Sequence, residues 1–300
     1  MKDISISIVV PIFNRANIVN ETLRSICIQK GNWECILVDD YSTDNVSEIC
    51  HAYVKKDARF KYTLNKKAKG APSARNIGAL MAKGSYIFFF DSDNILHKNA
   101  LQKIQHKLHQ SECDILVFFG RVLNENSQYV NTFNWKCYNN IHKELLTGKA
   151  YVDNNLCVIK KKCLFEIGLT DEDCPSYQEW DTHIRLSEKY KYETLEEELI
   201  DYIQWEKDSI SSNKKKTIEG LFYVLEKHFN KFRVHQNALF KYCIQIDELS
   251  KQLSNNDQKE TKKRIVKLIP NFHFKYRMHK TKEKTISVIE IIRNKLKFNY

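Results

Sequence analysis

The chain has 300 residues, of which 42% are hydrophobic and 28% are charged. This composition is typical of a globular protein and excludes a wholly disordered chain. No apolar run approaches the roughly 18–20 residues of a membrane span, and the N-terminus lacks a signal pattern, so we expect a cytoplasmic protein without membrane-spanning helices.

Positive charge is concentrated at the C-terminal end of the chain. Residues 257–300 contain 13 Lys and Arg against 4 Asp and Glu, a net charge of +9 out of +11 for the whole chain. The remaining residues are nearly neutral, and no nucleic-acid recognition motif accompanies the basic segment. We therefore predict no nucleic-acid partner.

Strand and helix patterns alternate over the first hundred residues. Apolar strand segments at 4–10, 35–38, 60–64 and 85–90 are separated by helical periodicity, and Pro72 suits the first turn of the third helix. Strands separated by helices of about 10–15 residues predict right-handed βαβ units. The expected fold is α/β, with a parallel sheet covered by helices.

The pattern is weaker after residue 93. It predicts a helix over 98–109, strands at 115–119 and 155–159, and a short helix over 182–188. Residues 120–150 give no regular pattern. From residue 217 to about residue 253 the periodicity is helical, which predicts a separate helical part near the C-terminus.

Four polar clusters follow or adjoin the predicted strands, at residues 11–15, 39–44, 69–76 and 91–94. Taken singly, each cluster is more readily explained by turns and helix caps. The carboxyl ends of parallel strands face one crevice, where ligands bind, so we expect the four clusters to meet there.

The last of these clusters contains two carboxylates at positions i and i+2, Asp91 and Asp93. On a chain leaving a strand, both can reach a hard divalent cation such as Mg²⁺ or Mn²⁺. A metal held there would neutralise a diphosphate leaving group. The alternative is a turn whose Asp caps the following helix, because the D-x-D pattern is weak by itself.

Four sequence segments resemble, in order and spacing, the motifs of family-2 glycosyltransferases with the GT-A fold. They are V-V-P-I-F-N-R, I-L-V-D-D-Y-S-T-D, G-A-P-S-A-R-N-I-G and F-F-F-D-S-D-N. Segments at 165–172, 178–186 and 208–211 extend the resemblance over residues 4–212. It implies a mostly parallel sheet flanked by helices. It also implies a nucleotide-sugar-binding half at 1–100 and an acceptor-binding half at 101–212. The helical periodicity and the positive charge of the remaining residues predict a basic helical extension at 213–300.

The resemblance implies nucleotide-binding roles for five residues. Pro11 and Phe13 would line the pocket for the base, with Phe13 stacking on the ring. Asp40 would accept a hydrogen bond from a ring N–H, with Asp39 beside it in the same pocket. Arg75 would approach the base or the phosphates.

The metal-binding and catalytic residues are also implied by the resemblance. Asp93 would bind the metal directly, while Asp91 would lie nearer the ribose and serve as a second ligand, with Ser92 between them. Glu179 would be the catalytic base, with Asp181 as the alternative. A structural explanation for Glu179 is an acid at a helix N-terminus that interacts favourably with the helix dipole.

Two departures from the family pattern refine this expectation. Some relatives carry a histidine metal ligand before the Ser-Ile-Ser element, where this chain has Gln204 and Trp205, so a histidine ligand is not expected. The chain also lacks the Q-x-x-R-W motif and the membrane spans of processive relatives. We therefore expect the transfer of a single sugar.

The expected function is inverting, metal-dependent transfer of one sugar from a nucleotide-sugar, a UDP-sugar, to a glycan or lipid-linked acceptor in cell-surface polysaccharide synthesis. A sugar-phosphate nucleotidyltransferase is one alternative, but it usually needs a glycine-rich loop after the first strand, and residues 11–15 contain no glycine. A non-catalytic carbohydrate- or partner-binding module is another, although it would not require Asp91, Asp93 and Glu179.

The basic segment 257–300 also carries apolar residues at helical spacing beside its lysines. Such a helix can lie on an anionic membrane surface, which would suit a lipid-linked acceptor and a peripheral location at the inner face of the membrane. An equally weighted alternative is that the apolar stripe packs on the protein body or on a second subunit in a homodimer.

Overall fold

The computed structural model describes residues 4–66, 69–137, 140–205 and 213–276. The chain divides into two units between residues 212 and 213. The first unit contains, in chain order, β1 (Ile6–Ile12), α1 (Val19–Cys27), β2 (Trp33–Asp39), α2 (Val46–Lys56), β3 (Phe60–Leu64), α3 (Ala71–Met81), β4 (Tyr86–Phe89), β5 (Ile95–Leu96), α4 (Ala100–His109), β6 (Ile115–Asn124), β7 (Tyr129–Phe133), α5 (Ile141–Thr147), a 3-10 helix (Asn154–Leu156), β8 (Cys157–Lys160), α6 (Lys161–Glu166), α7 (Gln178–Ser187) and β9 (Tyr192–Gln204).

The first four strands form the parallel part of the sheet, in the order β3-β2-β1-β4. Every residue of β1 and β4 is buried, as expected for strands covered by helices on both faces. Apolar side chains from strands and helices form one core, in which the rings of Phe88 and Phe118 meet edge to face at 5.6 Å. The α/β fold class predicted from the sequence is confirmed.

The second part of the sheet is mixed in direction. The order continues from β4 through β8, β6 and β9 to β5. Strand β8 is antiparallel to both β4 and β6, whereas β6 and β9 are parallel. Because β8 is antiparallel to β4, its amino end lies at the same edge as the carboxyl ends of β1, β2 and β4.

Three strands in this part, β5, β7 and β9, were not predicted from the sequence. Residues 120–150 contain the rest of β6 and the hairpin strand β7, and the charged segment Tyr192–Gln204 forms β9. Two glutamates of β9 are paired with lysines: Lys107 pairs with Glu193 at 3.3 Å and Lys136 with Glu196 at 2.5 Å. These ion pairs explain why so acidic a sequence is compatible with a strand.

The second unit contains α8 (Lys214–Lys227), α9 (Phe229–Phe232), α10 (Gln236–Ser250) and α11 (Asn255–Leu268). Within this unit Ile265, Ile269 and Phe272 are buried, while Phe274 is 71% exposed. Helix α11 contacts α10, and the ring of Phe272 meets that of Phe240 in α10 at 5.7 Å, so the apolar residues of this segment pack on their own unit. Residues 277–300 of the predicted basic extension lie outside the described residues. No helix in the described ranges is both long enough and apolar enough to cross a membrane.

Candidate active site

The loops after β1 and β2 are bonded to each other at the carboxyl edge of the sheet. Asn14, whose φ is +51°, accepts a hydrogen bond from the N–H of Thr43 at 2.8 Å. Asp44 accepts one from the N–H of Ala16 at 2.8 Å. Phe13 is 55% exposed between these bonded segments, so its ring is available for stacking. Pro11 is buried inside β1, opposite Val38.

Asp39 and Asp40 are buried at the end of β2, and protein donors bind both carboxylates. Asp39 accepts hydrogen bonds from the N–H of Ser42 and from the hydroxyl of Tyr62, both at 2.8 Å. Asp40 accepts from the side chain of Asn65 at 2.6 Å and from the N–H of Gly70 at 2.8 Å. Asp39 thus holds the loop that follows β2, whereas Asp40 binds residues that follow β3 and precede α3. A role in binding the base stays a prediction for both residues.

Arg75 lies at the centre of the site, on the buried face of α3. One guanidinium nitrogen, Nη2, donates to Asp91 Oδ1 at 2.9 Å, and Nη1 donates to Glu179 Oε1 at 3.2 Å. Its Nε is buried without a hydrogen-bond partner. Burial lowers the pKa of Arg75, but the charges of Asp91 and Glu179 outweigh burial and raise the pKa above its usual value. Arg75 therefore joins two residues that were predicted to have different roles.

Asp91 is held from two sides directly after β4. Arg75 binds one carboxylate oxygen, and the side-chain amide of Asn155 donates to the other, Oδ2, at 2.8 Å. The N–H of Asp91 donates to Asn155 Oδ1 at 2.7 Å. The carboxylate of Asp91 is therefore fixed in one orientation.

Asp93 is half-buried two residues further on, and Ser92 between the two acids is buried. Burial, and then the negative charge of Asp91, raise the pKa of Asp93 to about 7, although Arg15 lowers it. Bringing a cation to this position would relieve the repulsion between the two carboxylates.

The oxygen donors of Asp91 and Asp93 fit a hard divalent cation. Among the residues that the structure describes, no group of three or more His, Cys, Asp or Glu side chains is arranged to hold a metal ion. Two protein carboxylates would leave the remaining positions to diphosphate oxygens and water, which is how Mg²⁺ is commonly bound at phosphate sites.

Glu179 lies in the first turn of α7 and faces the same cluster. Besides its contact with Arg75, it is 3.5 Å from the side-chain nitrogen of Asn154. Its side chain is 17% exposed. Because its partner Arg75 comes from another helix, 104 residues earlier in the chain, the helix dipole alone does not account for the position of Glu179.

Asp181 is only two residues from Glu179 but is fully buried. Its Oδ2 accepts a hydrogen bond from Arg185 Nε at 2.9 Å, and Arg185 in turn donates to the carbonyls of Ile167 and Leu169. Asp181 thus stabilises the chain preceding α7. The structure does not bring it to Asp91 and Asp93, which favours Glu179 over Asp181 as the base.

Residues 153–155 belong to this site but were not predicted as functional residues. Asp153 accepts hydrogen bonds from the N–H of Asn155 at 2.8 Å and from its side-chain amide at 2.9 Å. Burial and then the charges of Glu179 and Asp91 raise the pKa of Asp153 to about 6. A polar Asp-Asn-Asn triplet directly before an apolar strand was the signal available in the sequence.

A cavity of about 480 Å³ adjoins the acidic cluster. It is formed by β6, β7 and the chain before β8, and its lining includes the rings of Phe118, Phe133, Trp135 and Tyr151. Asp153 also lines it, so the cavity reaches the residue that is bonded to Asn155. Aromatic rings next to a few carboxylates are suited to binding a sugar.

Comparison with known sequences identifies the family. Residues 7–163, more than half of the chain, match the family described as Glycosyl transferase family 2. The chain belongs to this family. It therefore carries a glycosyltransferase domain, as the sequence motifs predicted.

Two relatives illustrate the extent of the similarity. An uncharacterized glycosyltransferase of Rickettsia conorii is 35% identical over 155 residues, which cover 50% of this chain and 24% of the relative. A poly(ribitol-phosphate) beta-glucosyltransferase of Bacillus spizizenii is 25% identical over 291 residues, which cover 94% of this chain and 42% of the relative. The chain thus spans less than half the length of either relative.

Comparison with solved structures identifies the fold. The crystal structure of S. aureus TarS 1-349 in complex with UDP-GlcNAc matches with a TM-score of 0.62 and 15% sequence identity. The match covers 92% of each chain. The predicted GT-A fold is therefore confirmed.

Proposed function

We propose that this chain is an inverting, metal-dependent glycosyltransferase that moves one sugar from a UDP-sugar to a glycan or lipid-linked acceptor in cell-surface polysaccharide synthesis. The observation that carries the proposal is the position of Arg75, which is bonded to Asp91 on one side and to Glu179 on the other. Arg75 thus contacts both Asp91, which is proposed to act on the donor, and Glu179, which is proposed to act on the acceptor.

Glu179 is the proposed base. It removes the proton from an acceptor hydroxyl as the hydroxyl oxygen attacks the anomeric carbon of the donor. The new C–O bond forms on the face opposite the nucleotide, and the bond to the diphosphate breaks, so the configuration of the sugar is inverted. Arg75 holds Glu179 and Asp91 in fixed relative positions during this displacement.

Asp93 and Asp91 are the proposed ligands of a divalent cation, Mn²⁺ or Mg²⁺. When bound, the cation would neutralise the negative charge of the departing nucleotide diphosphate. Phe13, Asp39 and Asp40 would bind the base, and their location at the ends of β1 and β2 supports this role. UDP as the nucleotide is supported by the similarity to TarS, whose structure contains UDP-GlcNAc.

The cavity beside the cluster is the proposed site of the acceptor sugar. It contacts the reacting region through Asp153, and Trp135 and Tyr151 offer aromatic faces to a pyranose ring. Its volume of about 480 Å³ is within the range of small-molecule sites. The name of the B. spizizenii relative supports an acceptor of the cell-wall polymer type.

The experiment that tests the proposed function is titration of the purified chain with UDP and GDP, each with and without Mn²⁺. We expect UDP binding that depends on Mn²⁺, followed by hydrolysis of one UDP-sugar in a panel of nucleotide-sugars. Metal-independent binding of both nucleotides, or no binding of either, would contradict the proposal.

A further inference from the structure

The first observation is that Asn155 lies opposite Asp91 in the sheet. Strand β8 pairs with β4 in an antiparallel register in which Tyr86 is opposite Lys160 and Ile87 is opposite Ile159. The same register, continued beyond the end of β4, brings Asn155 opposite Asp91. The strand register therefore places the buried side-chain amide of Asn155 beside Asp91, the first acid of the D-x-D segment.

The second observation is that both the oxygen and the NH₂ group of the Asn155 side chain form hydrogen bonds. A backbone N–H can only donate a hydrogen bond, so the N–H of Asp91 requires the oxygen of Asn155 to face it, at 2.7 Å. This orientation turns the NH₂ group toward two carboxylates, Asp91 Oδ2 at 2.8 Å and Asp153 Oδ1 at 2.9 Å. Asn155 is 3% exposed, so water does not replace these contacts.

The third observation is electrostatic. Asp91 and Asp153 are like-charged neighbours, and the NH₂ group of Asn155 lies between them. Arg75 binds only Oδ1 of Asp91, so Oδ2 depends on Asn155 for its orientation. Only a side chain that accepts at one end and donates at the other can satisfy this position, which excludes Asp, Leu and Ala as equivalents.

We propose that Asn155 is a positioning residue that orients the carboxylate of Asp91 toward the nucleotide-sugar and its metal ion. The inference rests on the proposed function, in which Asp91 contacts the donor. Asn155 itself does not touch the substrate. It acts through Asp91, by fixing the Oδ2 oxygen and by screening it from Asp153.

The test compares Asn155→Asp with a matched control, Gln29→Glu. Gln29 is also a buried amide, in the loop between α1 and β2. Its side-chain oxygen accepts the N–H of Leu101 at 3.3 Å, and its NH₂ group donates to the carbonyls of Ser25 and His97, both at 2.9 Å. Both substitutions replace the NH₂ group of a buried amide with a carboxylate oxygen. Both variants should therefore lose stability, which thermal unfolding measures, but only Asn155 contacts Asp91.

The decisive measurement is UDP affinity as a function of Mn²⁺ concentration, at a temperature where all variants are folded. We expect Asn155→Asp to raise the half-saturating Mn²⁺ concentration about tenfold to a hundredfold, the usual effect of removing a partner of a metal ligand. Gln29→Glu should leave it unchanged. If Asn155→Asp does not fold, Asn155→Ala, which adds no charge, is measured in its place with the same expectation.

The outcomes distinguish the inference from the proposed function. If the wild type binds UDP with Mn²⁺ and Asp91→Ala abolishes the metal dependence, an unchanged Mn²⁺ requirement in the Asn155 variant overturns the positioning role alone. If the wild type shows no Mn²⁺-dependent binding of UDP, the proposed function fails and the inference fails with it.

Discussion

Acidic side chains of the first unit occupy two regions that differ in how their charge is compensated. At the sheet edge, the carboxylates of Asp91, Glu179 and Asp153 act on Arg75. Burial together with the charge of Asp91 raises the pKa of Asp93, two residues after Asp91, to about 7. On the buried side of α7, Asp181 is paired with Arg185 at 2.9 Å. The first region has unrelieved repulsion that a cationic ligand would remove, whereas the second has none.

The largest expected effect on sugar transfer is that of replacing Asp93, the acid whose pKa is raised to about 7. Asp93→Ala should abolish sugar transfer and Mn²⁺-dependent UDP binding, because the alanine cannot bind a metal ion. Circular dichroism should show an intact fold, since no other side chain in the described ranges donates a hydrogen bond to Asp93. Wild-type turnover in this variant would remove Asp93 from the proposed metal site.

The second prediction concerns Glu179 in the same region and separates the sugar-transfer step from donor binding. Glu179→Gln should keep UDP binding but lower turnover by about 10²–10⁴-fold, which is the usual contribution of a positioned base. Turnover is measured as UDP release from the donor sugar found in the nucleotide-sugar panel. Unchanged turnover would exclude Glu179 as the base.

The third prediction concerns the compensated region. Asp181→Asn leaves Arg185 without its charged partner in a largely buried position, so the free energy of unfolding should fall by about 3 kcal/mol in urea denaturation. Turnover should stay near that of the wild type at a temperature where the variant is folded. A loss of turnover as large as that expected for Glu179→Gln would move the base to Asp181 and remove the distinction between the two regions.

The parallel half of the fold was predictable from sequence because each of its strands is an apolar run bounded by helical periodicity. Strand β9 was not, because residues 193–198 include four glutamates and give no apolar run; Glu193 and Glu196 are paired with Lys107 and Lys136, which lie outside the strand. A single-sequence pattern does not contain those partners.

The candidate site was predictable only in part, for a similar reason. The i, i+2 spacing indicated Asp91 and Asp93 as a carboxylate pair, and the resemblance to family-2 glycosyltransferases indicated Glu179. The contact of Asn155 with Asp91 depends on β8 lying antiparallel to β4 with one register, across 64 residues of sequence. No local pattern fixes that register, so the residue that orients Asp91 was found only in the structure.

The second unit presents charge in a third way, as a row of exposed lysines on one face of a helix. Four exposed lysines of α11 lie within about 140° of the helix circumference at 3.6 residues per turn, and they are Lys259, Lys262, Lys263 and Lys267. Ile265, on the opposite side of the helix, is buried in its own unit. Any docking of this segment on a membrane would therefore be electrostatic, without insertion of this apolar stripe.

The smallest expected effect follows from this arrangement. Replacing the four lysines of α11 with glutamine should weaken binding to anionic vesicles about tenfold, because a lysine near an anionic surface contributes at most about 1 kcal/mol and the four do not reach the surface equally. The measurement is co-sedimentation with vesicles of increasing anionic lipid content, at low and high salt, since high salt screens exposed charges. The matched control replaces four exposed lysines of the first unit with glutamine, namely Lys55, Lys56, Lys98 and Lys189. If both variants bind equally, or if the wild type does not bind anionic vesicles at low salt, α11 does not dock on membranes, and its role is packing within the second unit.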